Sequence, residues 1–177
     1  KSFLTYQTAI NDADTVSGQT IEIMPGKCNE QILVNKSVTL KGIGASQPVV
    51  NFTGTPTGKR TVFDISVTNV TIDNLDIKVH LTKLSSGIIA SGTNVSNLSI
   101  KNNKIEAYAS AATASFGAYG DRNAVNINYT GSTNYRTAAG GVNNVVVTGK
   151  SISGIANDGM GIAGCFRSGK LLCKTGG

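Results

Sequence analysis

Three stretches of the chain repeat one pattern: VTNVTIDNLDI at 67–77, VSNLSIKNNKI at 95–105 and VNNVVVTGKSI at 142–152. Superposed, they read V-x-N-V/L-x-I/V-x-N/G-x-x-I. Val70, Leu98 and Val145 share one position, and Ile72, Ile100 and Val147 share another two residues on. Ile77, Ile105 and Ile152 share a third. Apolar residues at every second position follow the strand period, so these side chains face one way and their neighbours the other. The next slot holds Asn74, Asn102 or Gly149, and SVTLKGIG at 37–44 fits the same register with Val38, Leu40 and Gly42. Asn and Gly tolerate a left-handed backbone, so a sharp bend is predicted after each strand. The leading Asn69, Asn97 and Asn144, with Ser37 in the earlier copy, are predicted to bond to turn amides and to stack as a ladder.

Successive copies lie 32, 28 and 47 residues apart. A strand–bend–strand unit cannot bury its apolar face alone, but stacked copies can, as parallel strands about 4.8 Å apart. The pattern therefore predicts an all-β solenoid. Uneven spacing implies insertions that leave the coil at its corners. Two segments have that character, 106–122 (EAYASAATASFGAYGDR) and 130–141 (TGSTNYRTAAGG), with AVNINY at 124–129 reading as a strand between them. Tyr108, Phe116, Tyr119, Arg122, Tyr135 and Arg136 fall in these insertions. Aromatic rings stack on sugars and guanidinium groups donate to hydroxyls, so these six are the candidate ligand-binding residues; the alternative is that they pack the loops onto the coil. Ahead of the coils, FLTYQTAINDADTV at 3–16 sets Phe3, Tyr6, Ala9, Ile10, Ala13 and Val16 on one helical face. That helix is expected to cover the first coil's strand edge. The expected organisation is a capping helix within 1–17, coils over 18–164 and a tail at 165–177. The tail either covers the far end or leads into a further domain or subunit.

The outward positions carry charge. Lys41, Asp73 and Lys101 share one rung position, and Asp76 and Lys104 share another. These predict cross-strand ladders, each pair contributing about 0.2–1 kcal/mol. Interleaved lysines argue against calcium, which wants clustered carboxylates. No metal or other cofactor is expected. The 177 residues are only 15% charged, with 21 Gly and a net charge of +6. Few charges and many small polar groups suit extracellular β structure. Basic residues are scattered and no nucleic-acid motif occurs, so nucleic acid is not the expected partner. No apolar run has the length of a membrane span, and the first residues lack the apolar stretch of a signal peptide. Cys28, Cys165 and Cys173 make no CxxC pair, and His80 is the sole histidine, so a zinc site is not expected. Cys165 and Cys173 could close a short disulfide loop, leaving Cys28 a buried free thiol. Six N-x-S/T sequons occur, several of them at the predicted ladder positions.

The stretch TAINDADTVSGQTIEIMPGKCNEQILVNKSVTLKGIG at 8–44 resembles the opening of pectin-lyase-like proteins. In such proteins an "AI-x-x-A" helix precedes "G-x-T-I-x-[IV]-x-P-G-x-Y-x-E" and "[IV]-x-[KN]-[KS]-[IVL]-T-[IL]-x-G". Gly18, Thr20, Ile21, Ile23, Pro25, Gly26 and Glu30 match, and Cys28 replaces the Tyr. The resemblance extends to about residue 163 and implies a right-handed parallel β-helix. For activity it implies several classes: lyases and hydrolases on acidic polysaccharide, esterases, tailspikes and non-catalytic adhesins. The chain has no adjacent Asp pair, no Gly-His-Gly and no GxSxG, so no catalytic constellation of those enzymes is recognisable. The tail GCFRSGKLLCKTGG also resembles the opening of an autoprocessing domain with Cys165 as nucleophile, but the His motifs of such a domain are absent. The expected function is therefore binding of a polysaccharide, a cell-surface glycan or another surface ligand by a secreted or surface-exposed protein. A polysaccharide lyase or hydrolase, and a fibre or tailspike segment, are the alternatives.

Overall fold

The structure is a computed structural model describing residues 1–80, 83–84, 86–91, 95–108, 125–128, 143–148, 151–153 and 160–163. A short helix, α1 (Tyr6–Asn11), opens the chain. Among the described residues fifteen strands follow, three to a coil. The first coil holds β1 (Thr20–Ile23), β2 (Lys27–Cys28) and β3 (Ile32–Val34). The second holds β4 (Thr39–Gly42), β5 (Val49–Asn51) and β6 (Thr61–Ile65). The third holds β7 (Thr71–Asp73), β8 (Asp76–His80) and β9 (Ser86–Ser91). The fourth holds β10 (Ser96–Lys101), β11 (Lys104–Tyr108) and β12 (Val125–Asn128), and the fifth β13 (Asn143–Thr148), β14 (Ser151–Ser153) and β15 (Met160–Ala163).

Each coil gives one strand to each of three five-stranded sheets: β1-β4-β7-β10-β13, β2-β5-β8-β11-β14 and β3-β6-β9-β12-β15. Every pairing is parallel, so the chain stacks as a β-helix-like solenoid. The register is the one the repeat predicts. Leu40 pairs with Ile72, Ile72 with Ile100, and Ile100 with Val147. Ile77, Ile105 and Ile152 align in the second sheet. The third sheet, apart from the strand read at 124–129, is absent from the repeat. Its strands ILV and TVFDI share no pattern beyond a hydrophobic character. Inside, Leu40, Ile72 and Ile100 meet Val50, Ile77 and Ile105 from the second sheet and Ile32, Phe63 and Ile88 from the third, all fully buried. Each such side chain stabilises the fold by about 1.5–3 kcal/mol.

The bends follow from Asn. Asn74 and Asn102 adopt φ of 58° and 55°, as their slot predicts. Asn69 and Asn97 are also left-handed, at 57° and 54°, at the corners where turn residues were expected. Asn97 Nδ2 donates to Asn69 Oδ1 at 2.9 Å, so the expected ladder forms side chain to side chain rather than through turn amides. Gly42 differs from expectation, because it is not among the left-handed glycines. It is glycine because the third coil's bend presses on it: an added Cβ would lie 2.1 Å from the Asn74 carbonyl oxygen.

The helix is shorter than its amphipathic pattern. Tyr6, Ala9 and Ile10 are buried, whereas Phe3, Ala13 and Val16 lie outside the helix and are exposed. Both ends are tied to the first coil. Glu30 accepts from the Tyr6 and Gln7 amides at 2.7 and 3.1 Å, satisfying donors that a helix start leaves free. The Lys36 ammonium donates to the Asp12 and Thr15 carbonyls at the other end, where a cation suits the helix dipole. Gln7 pairs with the edge of β3 as a strand would. It accepts from the Leu33 amide at 2.8 Å and donates to the Leu33 carbonyl at 3.2 Å. Tyr6 packs edge-on against Phe63, yet its buried hydroxyl has no hydrogen-bond partner among the described residues. Tyr6→Phe should therefore raise stability by about 1 kcal/mol, read as a higher urea midpoint; a lower midpoint would mean the hydroxyl is satisfied.

Candidate functional site

The second sheet presents the densest array of chemistry on its outer face. Strand alternation places Asp76, Lys78 and His80 outward on β8, register sets Lys104 and Glu106 beside the first two on β11, and Tyr108 stands in register with His80. Four of these charges close into a ring. Lys78 Nζ lies 2.6 Å from Glu106 Oε2 and 3.0 Å from Asp76 Oδ1. Lys104 Nζ lies 3.4 Å from Glu106 Oε2 and 3.9 Å from Asp76 Oδ2. The expected Asp76–Lys104 ladder is present, and Lys78 and Glu106 extend it. On the first sheet, Lys101 reaches Asp73 at 3.7 Å, while Asp73 Oδ1 accepts from Asn102. Lys41 stands in register with Asp73, but among the described residues no ion pair joins them.

Hydrogen bonds from Lys78, and then from Lys104, hold the Glu106 carboxyl below its ordinary pKa. For Lys78, burial works against the charge, but Glu106 and Asp76 outweigh it and raise the pKa. A carboxyl depressed by folding contributes stability that is full above its ordinary range and is lost as pH falls through the depressed value. Glu106→Gln should flatten that acid limb in urea unfolding. The change should stay below about 1 kcal/mol, because the partly exposed pair is screened by solvent, and it should shrink in high salt. An unchanged acid limb would remove Glu106 from the account.

His80 ends β8 at the next corner. Its Nε2–H donates to Asn51 Oδ1 at 2.8 Å. Burial, then the charges of Lys83 and Lys27, lowers its pKa, so the ring is neutral at pH 7. The Lys83 and Leu84 amides donate to the His80 carbonyl at 2.9 and 2.7 Å. Lys83 Nζ donates to the Thr53 carbonyl at 2.5 Å, and Arg60 Nε to the Lys83 carbonyl at 2.7 Å. One corner thus gathers a neutral imidazole, a buried amide and two cations. The sequence reading missed Asn51, Lys83 and Arg60, because nothing in the repeat points to the corner after the second sheet.

Of the six predicted ligand-binding residues, Tyr108 ends β11 and pairs with His80. Strand β11 includes 106–108, so the first residues read as insertion belong to the second sheet. Phe116, Tyr119, Arg122, Tyr135 and Arg136 lie outside the described residues, as do Cys165 and Cys173. Cys28 is a free thiol, half-buried rather than buried. It holds the inward position of the first coil, aligned with Val50, and among the described residues no further coil covers it. Burial first, and then Glu30, raises its pKa, which keeps the thiol protonated and weakly nucleophilic. Beside it a groove of about 970 Å³ opens between residues 1–6 and β1, rimmed by Glu22 and Met24. Among the described residues no three of His, Cys, Asp and Glu gather as a metal site. No helix among them is long and apolar enough to cross a membrane.

No family model matches the chain, and no solved structure does. A 77-residue stretch is 36% identical to a protein of Methanothermus fervidus named "Cell surface glycoprotein". The match spans 44% of this chain but only 12% of that protein, so the likeness points to a surface-exposed protein and goes no further.

Proposed function

We propose that the chain is a right-handed parallel β-helix of the pectin-lyase-like kind, exposed at a cell surface or secreted, that binds a glycan or another surface ligand. The single observation that carries the reading is the corner of the second sheet. Tyr108 stands in register with His80, next to Asn51 and Lys83, at the point where the chain enters 109–124. A neutral imidazole offers hydrogen bonding to a sugar, and the two nearby cations, Lys83 and Arg60, favour an acidic one. The surface location draws support from the name of the Methanothermus fervidus protein. A further domain or subunit at the C-terminal end belongs to the same proposal.

The test is a glycan array probed with the purified chain. Binding is expected, and Arg122→Ala with Arg136→Ala, or His80→Ala with Lys83→Ala, should weaken it at least about tenfold, equal to about 1.4 kcal/mol. Binding that survives both double variants would sink the site assignment. Incubation with a broad panel of acidic polysaccharides should release neither reducing ends nor unsaturated uronates; release of either would replace binding with catalysis.

A further inference from the structure

The fold sorts the six N-x-S/T sequons, at Asn35, Asn51, Asn69, Asn94, Asn97 and Asn128, by whether a folded coil can carry a sugar on the amide nitrogen. Asn51 cannot, since it is only 9% exposed and its side-chain oxygen accepts from His80. Asn97 donates one amide N–H to Asn69 Oδ1. The two occupy neighbouring rungs, about 4.8 Å apart, which leaves no room for a glycan on each. Asn94 and the Asn128 side chain lie outside the described residues.

Asn35 is different. It follows β3 directly, is exposed, and its side chain makes no hydrogen bond among the described residues. It lines a groove of about 400 Å³ with Gln7, Asn11, Leu33, Thr57 and Lys59. Leu33 is 43% exposed there, so the groove offers an apolar patch ringed by amides, a hydroxyl and the Lys59–Asp64 ion pair. That is a bed suited to the apolar face and hydroxyls of a first sugar residue. The sequon hydroxyl of Ser37 donates to the Thr68 carbonyl at 2.7 Å in the finished fold. It is therefore free for recognition only before the third coil docks.

We propose that Asn35 is an attachment site for an Asn-linked glycan, added before the coils stack. The co-reactant is a lipid-linked oligosaccharide carried on a phosphate or pyrophosphate. The Asn35 amide nitrogen bonds to C1 of the first sugar, and the C1–O bond to phosphate breaks. The lipid phosphate leaves with the electron pair, and the amide proton passes to a base of the transferase. No oxidation is involved.

The test is secretion of the chain from a eukaryotic cell, which supplies such a donor, followed by peptide N-glycosidase in heavy-oxygen water and peptide mass spectrometry. Directed secretion makes the result independent of the glycan-binding reading, which enzymatically deglycosylated protein tests separately on the array. Asn35 should be converted to oxygen-18-labelled Asp, and Asn51 should not. Ser37→Ala should abolish the label at Asn35, Ser37→Thr should retain it, and Asn69→Gln should leave it unchanged. An unlabelled Asn35 in the secreted chain, a label that persists in Ser37→Ala, or occupancy of Asn51 in folded protein would each overturn the assignment.

Discussion

Gly42→Ala is expected to destabilise the fold by on the order of 3 kcal/mol or to prevent its folding. The methyl group would meet the Asn74 carbonyl oxygen at 2.1 Å and Pro48 Cδ at 2.7 Å. The first obstacle is backbone, held in place by the bend of the third coil. That bend is itself tied to the second coil, since Asn74 Nδ2 donates to the Gly42 carbonyl at 2.9 Å. Relief therefore means separating two coils whose strands are paired on both sides of the contact. Glycine's conformational freedom is not the issue at this position, so the test separates two causes. Gly26→Ala, where an added Cβ has nothing within 4 Å, should change the urea midpoint little. If Gly42→Ala proves equally mild, the coils must be more loosely stacked than described.

Asn103→Ala is expected to cost about 3 kcal/mol. Asn103 is 1% exposed and stands one coil on from Leu75. Its Oδ1 accepts from the Leu75 amide and its Nδ2 donates to the Ile72 carbonyl, both at 2.9 Å. The left-handed bend at Asn74 removes both backbone groups from the ladder, and the side chain of the next coil supplies the missing partners. Truncation leaves a buried donor and a buried acceptor unsatisfied, each costing about 1–3 kcal/mol. Asn103→Asp is the discriminating variant. Its carboxylate keeps an acceptor for Leu75 but turns a negative oxygen towards the Ile72 carbonyl. Its folded-state pKa should rise, so that its deficit is full above that raised value and shrinks as pH falls through it towards the ordinary carboxyl range. A pH-independent deficit in Asn103→Asp would mean that the new carboxylate does not face the Ile72 carbonyl as Nδ2 does.

Much of the coil was legible in the residues. The alternation in VTNVTIDNLDI and VSNLSIKNNKI set the register of the first two sheets, because a slip of one position would turn every Ile outward. The Asn74 and Asn102 bends were legible because few residues tolerate that conformation. The charge ladders were legible in part: Asp76 with Lys104, but not Lys78 with Glu106, which stand in register just past the end of the repeat, where 106 reads as the start of an insertion. The ligand-binding residues were legible only as composition; Tyr108 takes a place in a strand, in register with His80, and the other five lie outside the described residues.

Sequence alone determined which residues stack, since burial requires apolar side chains to recur at the same level of every coil. Tertiary structure decided what lies between the coils. Asn103 reads as a variant of Leu75 until the Asn74 bend leaves two backbone groups for it to satisfy. Gly42 reads as a bend residue until the carbonyl of the next coil is placed against it. Asn35 and Asn51 share one sequon until the fold buries the second and leaves the first exposed. Each of these distinctions depends on atoms about thirty residues away along the chain, and only the stacking of coils brings them within contact distance.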